Sequence, residues 1–244
     1  MSVLTLRLAG PLQSWGAAAR FARRTTESAP TKSGVIGLLA AAKGIQRGDD
    51  ESLAPLAALR FGVRLDKPGT RLRDFQTARH ADTGKPMPLS ERFYLADAVF
   101  VAAVEGDDDL VIDLEAALKS PVYPPFLGRR SCPPAHPVEL QRHSQGDLLT
   151  ALRVEPWQVS KAYALRHSNG PTVRLPVFYE SAADDPAAEV LRDQPVSFAA
   201  EHRRHALRTV VRDEVDAPNP HARQPHDSSA REHDPFAALV EVND

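Results

Sequence analysis

Three arginines and a lysine lie close to the amino end of a predicted helix within the first 44 residues. Arg20, Arg23 and Arg24 follow the loop 10–16, whose sequence is Gly-Pro-Leu-Gln-Ser-Trp-Gly, and Lys32 begins the apolar run that predicts the helix. The free N–H groups and the dipole at the amino end of a helix attract anions, and basic side chains add to this attraction. The combination predicts a site for phosphates.

A second basic segment lies at 121–137, where six prolines stiffen the chain. Gly128 permits a close approach of the backbone, and the adjacent Arg129 and Arg130 are suited to holding phosphates by bidentate contacts. The alternative is a proline-rich connector with solvated arginines. Cys132 is near enough to these arginines for its pKa to be lowered, but no acid–base partner is apparent, so we expect a structural role for it.

The formal net charge of −2 hides a segregation of charge along the chain. Residues 1–48 contain seven basic residues and one acid, and residues 121–180 contain seven basic residues and four acids. Residues 49–120 and 181–244 are acidic on balance. A local positive surface matters more for phosphate binding than the total charge does. The distribution therefore favours a nucleic-acid partner, and an unevenly solvated surface is the alternative.

Other classes of chemistry have no sequence signature here. The single cysteine excludes an intrachain disulfide and suits a reducing cytoplasm. The nine histidines are scattered without zinc-ligand spacing, so we expect neither a metal nor a cofactor. No nucleophile motif, carboxylate cluster or Walker loop is present. Because no secretory signal is visible and no apolar run could span a membrane, a cytoplasmic protein without a membrane partner is expected.

The hydrophobic pattern predicts the elements that would position these residues. One helix is expected from a cap at Thr31 or Ser33 to a stop at Gly44. Further helices are predicted at 50–59 and 107–118, and strands at 3–8, 60–66, 71–77, 93–104, 173–178, 196–198 and 207–215. The segment 78–92 lacks a core pattern and contains a glycine and two prolines, so it is predicted to be a protruding loop or hairpin.

The order strand–helix–strand, strand–helix–strand predicts an α+β fold, with a ferredoxin-like or RRM-type domain over residues 1–135 that carries the protrusion at 78–92. Residues 136–216 are expected to add β-structure packed on this domain. Residues 217–244 are expected to form a flexible acidic tail rich in proline and histidine. The strands lack the stacking aromatics of an RRM, so the sheet face is not expected to bind RNA.

Two blocks of sequence together resemble one protein family. The first comprises residues 6–16, followed by Pro-Thr-Lys-Ser-Gly at 30–34 and Gly-Leu-Leu at 37–39. The second is Tyr-Pro-Pro-Phe-Leu-Gly-Arg-Arg-Ser-Cys-Pro at 123–133. In residue types and order they resemble the CasD family. Its members are subunits of the type I-E CRISPR surveillance complex Cascade and belong to the RAMP superfamily. The resemblance extends over residues 1–215.

The resemblance implies a non-catalytic subunit that binds RNA. Members of this family hold the 5′ handle of the mature CRISPR RNA (crRNA), and a separate endonuclease cuts the precursor. The segment 78–92 would be a thumb-like element that passes over the RNA and meets the adjacent backbone subunit. It would also help to seat the large subunit that recognises the PAM. Target DNA would be met mainly through the assembled complex.

The expected mechanism is a cap that recognises the bent backbone and splayed bases of the handle. Trp15 would either stack on a base or pack behind its loop, and both alternatives stay open from the sequence. Hydroxyl and backbone donors would supplement the basic side chains. The expected RNA-binding residues are Ser14, Trp15, Arg20, Arg23, Arg24, Thr31, Lys32, Ser33, Arg129 and Arg130.

Two other functions remain open. A metal-independent CRISPR-repeat endoribonuclease needs only a general base and charge stabilisation, so spacing alone does not exclude it. The candidate bases are His80, His136, His143 and His167. The third possibility is an assembly protein that does not contact RNA.

Overall fold

The structure is a computed structural model that describes residues 1–16, 23–181 and 185–222. The helices in these ranges are α1 (Lys32–Lys43), α2 (Asp50–Ala58), α3 (Asp108–Lys119), α4 (Leu148–Val154) and α5 (Lys161–His167). The strands are β1 (Ser2–Ala9), β2 (Leu12–Gln13), β3 (Arg23–Arg24), β4 (Arg60–Lys67), β5 (Thr70–Gln76), β6 (Ser90–Ala96), β7 (Val99–Gly106), β8 (Glu139–His143), β9 (Thr172–Glu180), β10 (Glu189–Ser197) and β11 (Arg204–Pro218).

A seven-stranded sheet with the order β10-β11-β9-β4-β7-β1-β8 forms the centre of the molecule, and its neighbouring strands run antiparallel. Its middle strands are buried on both faces. Leu4 and Leu6 pack in one core cluster with residues of α1 and α3, whereas Val3 packs with α4 in another. Because β7 is covered on both sides, its residues 99–104 are continuously apolar and do not alternate.

A smaller sheet lies beside the large one and is built around β6, which pairs with β5 along one edge and with β2 and β3 along the other. Residues 77–89 connect β5 to β6 and are exposed throughout. Within this connection an isolated bridge joins Arg79 to Pro86. The exposed connection covers residues 78–89 of the segment 78–92 in which the sequence predicts a protruding loop or hairpin, and residues 90–92 belong to β6.

Helix α1 begins and ends where the sequence predicts. Thr31 is its N-cap, and the Thr31 hydroxyl accepts a hydrogen bond from the backbone N–H of Gly34. Gly44 ends the helix in the left-handed conformation with φ of 78°, and its N–H is donated back to the last turn. Helix α3 has the predicted acidic amino end, where the Asp107 carboxylate accepts from two backbone N–H groups.

The predicted strand 93–104 is wrong, because the segment forms two strands in different sheets. Asp97 lies between β6 and β7 with φ of 56°, a conformation that aspartate tolerates better than most residues. The N–H of Asp97 donates to the carbonyl of Pro11. A single polar residue in a long apolar run therefore marks the change of sheet.

The carboxyl-terminal half contains more regular structure than the sequence predicts. The sequence does not predict strand β8 or helices α4 and α5, and the predicted strand 196–198 overlaps only the last two residues of the longer β10. Strand β11 continues through Pro218, and Ala217 is fully buried, so residues 217–218 belong to the sheet and not to a tail. Residues 223–244 lie outside the described residues.

The predicted α+β class is confirmed as a mixed fold with a large antiparallel sheet. Strands β9, β10 and β11 extend that sheet through the pairing of β9 with β4, and the division into domains stays a prediction. No helix in the described ranges is long and apolar enough to cross a membrane.

Candidate functional site

The two basic loop segments of the sequence lie against each other. The N–H of Ser14 donates to the carbonyl of Leu127 at 3.1 Å, and the N–H of Ala135 donates to the carbonyl of Ala9 at 2.9 Å. The loop around Gly128 is closed by a hydrogen bond from the N–H of Leu127 to the carbonyl of Cys132. Segments more than a hundred residues apart therefore form one surface.

Glycines make this contact possible. Gly128 has φ of 83°, and a Cβ placed on it would lie 1.8 Å from the carbonyl oxygen of Ser14. A Cβ on Gly34 would lie 2.8 Å from the indole ring of Trp15. Neither position has room for a side chain. The backbone at Gly128 and at Gly34 therefore packs directly against residues 14 and 15 of the first loop.

Trp15 packs behind the loop, which is one of the two alternatives that the sequence leaves open. It is fully buried, and its indole N–H donates to the side-chain oxygen of Gln13 at 3.0 Å. Gln13 in turn donates to the carbonyls of Leu8 and Ala98. In this arrangement the indole is not accessible for base stacking, so we assign it the role of supporting the loop.

The amino end of α1 differs from the expectation of an open anion site. The backbone N–H of Lys32 donates to the Asp193 carboxylate of β10 at 2.8 Å, so a carboxylate of the chain itself already occupies the position. The hydroxyl of Thr31 is the helix cap, and Ser33 is buried beside it. The predicted phosphate site at this helix terminus is therefore corrected to an internal contact.

Lys32 belongs to a buried cluster of charges and not to the exposed surface. Its ammonium group pairs with Glu180 at 2.8 Å, while Arg208 makes two hydrogen bonds to the carboxylate of Asp193. Burial lowers the pKa of Lys32, and Glu180 opposes that shift. The cluster joins the amino end of α1 to β9, β10 and β11.

An open groove of 1340 Å³ lies between the motif loops and the β10–β11 hairpin. We call its two sides the loop wall, which consists of residues 14–16, 24–31 and 128–129, and the hairpin wall, which consists of β10, β11 and their connection. In the described part of the chain three carboxylates line it, against seven arginines: Arg24, Arg129, Arg192, Arg203, Arg204, Arg208 and Arg212.

Some of these arginines are neutralised by ion pairs. Arg204 pairs with Asp50 at 3.2 Å, and Arg212 pairs with Glu189 at 2.9 Å. By contrast, Arg24, Arg192 and Arg203 have no carboxylate at ion-pair distance within the described residues. Unpaired guanidinium groups in an open groove are available to bind phosphate oxygens.

Arg129 has the most defined position among the predicted phosphate ligands. Its guanidinium carbon lies 4.8 Å from the ring centre of Tyr94, and Nη2 donates to the carbonyl of Arg24 at 2.9 Å. Nη1 is buried without an acceptor in the described structure. Arg130 is exposed and does not line the groove. A guanidinium that lines an open groove in a fixed position is suited to an anionic ligand.

The remaining predicted residues have other placements. Ser14 is buried, and its hydroxyl donates to the carbonyl of Phe93 at 3.0 Å. The backbone of Arg23 lies in β3, but its side chain is not described, and Arg20 lies outside the described residues. Cys132 is buried, and that burial raises the pKa of its thiol, in contrast to the lowering that nearby arginines would cause.

The four histidines considered as candidate bases do not line the groove. His143 contacts Glu155 at 3.1 Å in the interior, His167 stacks on Tyr163, and His80 is exposed in the hairpin 77–89. His136 lines a different cavity. The histidines that do line the groove are His202 and His205, and burial, with Arg203 nearby, lowers the pKa of His205.

The sequence alone does not predict the hairpin wall, because its arginines are interspersed with acidic residues. A strand signal was nevertheless present, since residues of even number in β11 share one face. Arg204, Arg208 and Arg212 all occupy that face and line the groove. Between Arg204 and Arg212 the strand contains no acid, and Asp213, Glu214 and Asp216 follow the last of these arginines without lining the groove. Net charge over a segment therefore concealed a one-sided basic strand.

Comparisons with known proteins agree on one family. A family model described as CRISPR-associated protein (Cas_Cas5) matches residues 3–211. The chain is 39% identical over 169 residues to the CRISPR system Cascade subunit CasD of Escherichia coli (strain K12). The aligned region covers 62% of this chain and 75% of that protein.

Solved structures give the same result. A chain of a CRISPR RNA-guided surveillance complex is similar with a TM-score of 0.71 and 33% identity, covering 92% of this chain and 95% of that chain. The crystal structure of a Cas protein is similar with a TM-score of 0.67 and 35% identity, covering 91% and 98%. The family expected from the two sequence blocks is confirmed.

Proposed function

The chain belongs to the Cas5 family of CRISPR-associated proteins, and we propose that it is a non-catalytic subunit of a Cascade-type surveillance complex. In this role it binds and caps the 5′ handle of the crRNA. The similar E. coli protein is itself named a Cascade subunit, and one similar structure is an RNA-guided surveillance complex. A cytoplasmic location follows from the same role.

The groove between the loop wall and the hairpin wall is the observation that carries this proposal. Single-stranded RNA is bound by positively charged grooves that follow its backbone. Here Arg24 and Arg129 lie on one wall, and Arg192 and Arg203 lie on the other. A strand of RNA in the groove would meet guanidinium groups on both sides.

The fold supports the proposal in a further way. Strands β8, β1, β7 and β4 are neighbours in this order, with α1 following β1 and α3 following β7, which is the arrangement of a ferredoxin-like domain. We therefore keep the ferredoxin-like assignment for this part of the sheet as a proposal.

The exposed hairpin 77–89 is the proposed thumb-like contact with the adjacent backbone subunit and with the large PAM-recognising subunit. It is extended by the outer strand β5, and four large apolar side chains of this region are exposed: Leu72, Phe75, Met87 and Leu89. Exposed apolar clusters are typical of surfaces that contact another protein. Target DNA would be met through the assembled complex.

The test of RNA binding compares a groove variant with a matched surface variant. Arg192→Ala with Arg203→Ala should weaken binding of a labelled handle RNA at least tenfold, because two phosphate contacts are lost. The slope of log K against log salt should fall by about 1.4, since each phosphate contact to a single strand contributes about 0.7. Arg153→Ala with Arg166→Ala removes two exposed arginines outside the groove and should change neither quantity.

An unchanged salt slope in a folded groove variant would show that RNA does not occupy this groove. The same preparations also test assembly, because the groove variant should be under-represented when the complex is reconstituted with crRNA and its other subunits. If the parent chain binds no handle RNA and the groove variant assembles normally, the chain is a purely structural subunit.

One observation favours a second function, a metal-independent endoribonuclease. His205 lies in the groove beside arginines, and its lowered pKa keeps the imidazole neutral near pH 7, as a general base requires. Incubation of the protein with labelled repeat RNA in EDTA distinguishes the two functions. We expect intact RNA, whereas specific cleavage that His205→Ala abolishes would establish the endoribonuclease.

A further inference from the structure

A second cavity, of 660 Å³, lies at the opposite ends of the two motif segments and shares no lining residue with the groove. Its walls come from residues 9–11 of the first sequence block, from residues 135–136, which follow the second block, and from residues 156–160 and 220–221. The chain therefore runs from the groove to the second cavity in two segments, residues 9–16 and 128–136. The proposed RNA-binding function does not use the second cavity.

Among the charged residues that line the second cavity, cations outnumber carboxylates. Arg7 and Lys67 contribute two cations, and His136 and His221 contribute two further groups that can be protonated. Asp97 is the one carboxylate among the described lining residues. An electrostatic surplus of this kind favours an anionic occupant.

Arg7 has an unsatisfied donor at this cavity. It lies in β1, where its backbone N–H donates to the carbonyl of Val138 at 2.7 Å. Its Nε is buried without an acceptor in the described structure, and Nη1 reaches the side-chain oxygen of Gln158 only at 3.5 Å. Buried donors are nearly always paired in folded proteins, so the unpaired Nε shows that the hydrogen bonds of this cavity-lining guanidinium are incomplete.

Lys67 is held in place without an ion pair. Its ammonium nitrogen lies 5.3 Å from the ring centre of Tyr163, and no carboxylate is within ion-pair distance among the described residues. The Tyr163 ring is in turn fixed by stacking on His167, with centres 3.8 Å apart, and by an edge contact with Trp157. A positioned cation that lacks a partner is available to a ligand.

The size and the apolar walls indicate what kind of anion would fit. Ligand sites typically have volumes of about 300 to 1000 Å³, which is more than a phosphate ion alone requires. Pro11, Pro156, Val159 and Pro220 give the cavity apolar surfaces beside the basic groups. A phosphate attached to a ribose and a base combines both properties.

We propose that this cavity is a second phosphate-binding site, in which Arg7 and Lys67 bind the phosphate of a nucleotide and the proline-rich wall contacts the attached nucleoside. The nucleotide has two possible sources, which share this chemistry. It is either a residue of an RNA strand or a free mononucleotide.

The experiment measures binding of AMP, adenosine and inorganic phosphate to the purified full-length chain by isothermal titration calorimetry. We expect AMP to bind at least tenfold more tightly than either fragment. Lys67→Gln should weaken AMP binding at least tenfold, and Arg7→Gln should do the same if the variant is folded. The control Lys161→Gln removes an exposed lysine on α5 that does not line the cavity and should have no effect.

Competition with a ten-nucleotide RNA identifies the source. Displacement of AMP by the RNA, lost in Lys67→Gln, indicates a nucleotide of an RNA strand, and AMP binding that RNA does not affect indicates a free nucleotide. The proposal is overturned if neither AMP nor RNA binding responds to Lys67→Gln. Arg192→Ala with Arg203→Ala reports on the groove alone, so failure of this proposal and failure of the RNA-binding function give different results.

Discussion

The two walls of the groove are built on different physical principles. The loop wall depends on backbone contacts that exclude side chains, with Gly128 against Ser14 and Gly34 against Trp15. The hairpin wall depends on charge, with Arg208 and Asp193 buried at its base and further arginines exposed above them. One wall is fixed by steric fit and the other by ion pairs.

This difference explains why the two walls are so unequally visible in the sequence. Steric fit at a glycine or a buried indole permits one residue type, so the loop wall carries a recognisable motif. A basic surface is satisfied by arginines at many positions, so the hairpin wall carries none. The motif therefore marks the scaffold of the groove, while much of the charge available to a ligand lies elsewhere.

The largest effect on the free energy of unfolding is expected at Gly128. Its substitution tests whether close contact between the loops costs more than the left-handed backbone conformation alone. Gly128→Ala places a methyl group 1.8 Å from a backbone oxygen, which requires the two motif loops to separate. We expect a loss of at least about 4 kcal/mol in the free energy of unfolding, measured by urea denaturation.

Gly84→Ala is the matched control for this substitution. Gly84 also has a positive φ, of 64°, but a Cβ there meets nothing within 4 Å. The cost should be about 1 to 2 kcal/mol, from the left-handed conformation alone. Equal costs at the two glycines would mean that the loops do not depend on close contact.

The second prediction tests the ion pairs beneath the hairpin wall. Asp193→Asn removes the nearer of the two carboxylates that pair with Arg208, since Glu180 lies at 3.7 Å, and we expect a loss of about 3 kcal/mol in the free energy of unfolding. Glu189→Gln, on the same strand, breaks an exposed pair with Arg212 and should cost less than about 1 kcal/mol. Similar losses for the two variants would contradict the buried position of the Asp193 pair.

The sequence predicts those parts of the fold that depend on local rules. The caps of α1 at Thr31 and Gly44 are confirmed because each follows from one residue and its immediate neighbours. The family is predictable from two short blocks of sequence, and the matching family model confirms it. By contrast, the split of the predicted strand 93–104 at Asp97 depends on a contact with Pro11, which no local pattern contains.

The candidate site follows the same division. That Lys32 is buried depends on Glu180, which is far away in the sequence, so its residue type alone suggested an exposed phosphate ligand. The same holds for the carboxylate of Asp193 at the amino end of α1. Long-range partners decide whether a basic residue is free to bind a ligand, and a single sequence does not name those partners.

The third prediction divides a pair of arginines that the sequence treats as equivalent. Arg129 lines the groove and is held by Tyr94, whereas its neighbour Arg130 is exposed outside the groove. We expect Arg129→Ala to weaken binding of handle RNA about tenfold, the value of one charge-assisted contact of about 1.4 kcal/mol. Arg130→Ala should change it less than about twofold, and equal effects in filter binding would place RNA outside the groove.

The smallest expected effect concerns pH and the hairpin wall. Burial, together with Arg203, lowers the pKa of His205, so its imidazole is neutral near pH 7 and becomes charged as the pH falls through that lowered value. Protonation adds a positive charge to a groove that binds phosphates. RNA affinity should therefore rise about threefold when the pH is lowered from 7 to 5 at constant salt.

Stability should move in the opposite direction, which makes the prediction specific. Because the pKa of His205 is lower in the folded protein than in the unfolded chain, the unfolded chain takes up the proton first, and acidification below about pH 6.5 destabilises the free protein. His205→Gln should remove both trends to the extent that they arise at this residue, leaving His202 as the remaining histidine in the groove. If the pH dependence of RNA binding is the same in His205→Gln as in the parent protein, the imidazole does not face the RNA, and the hairpin wall contributes through its arginines alone.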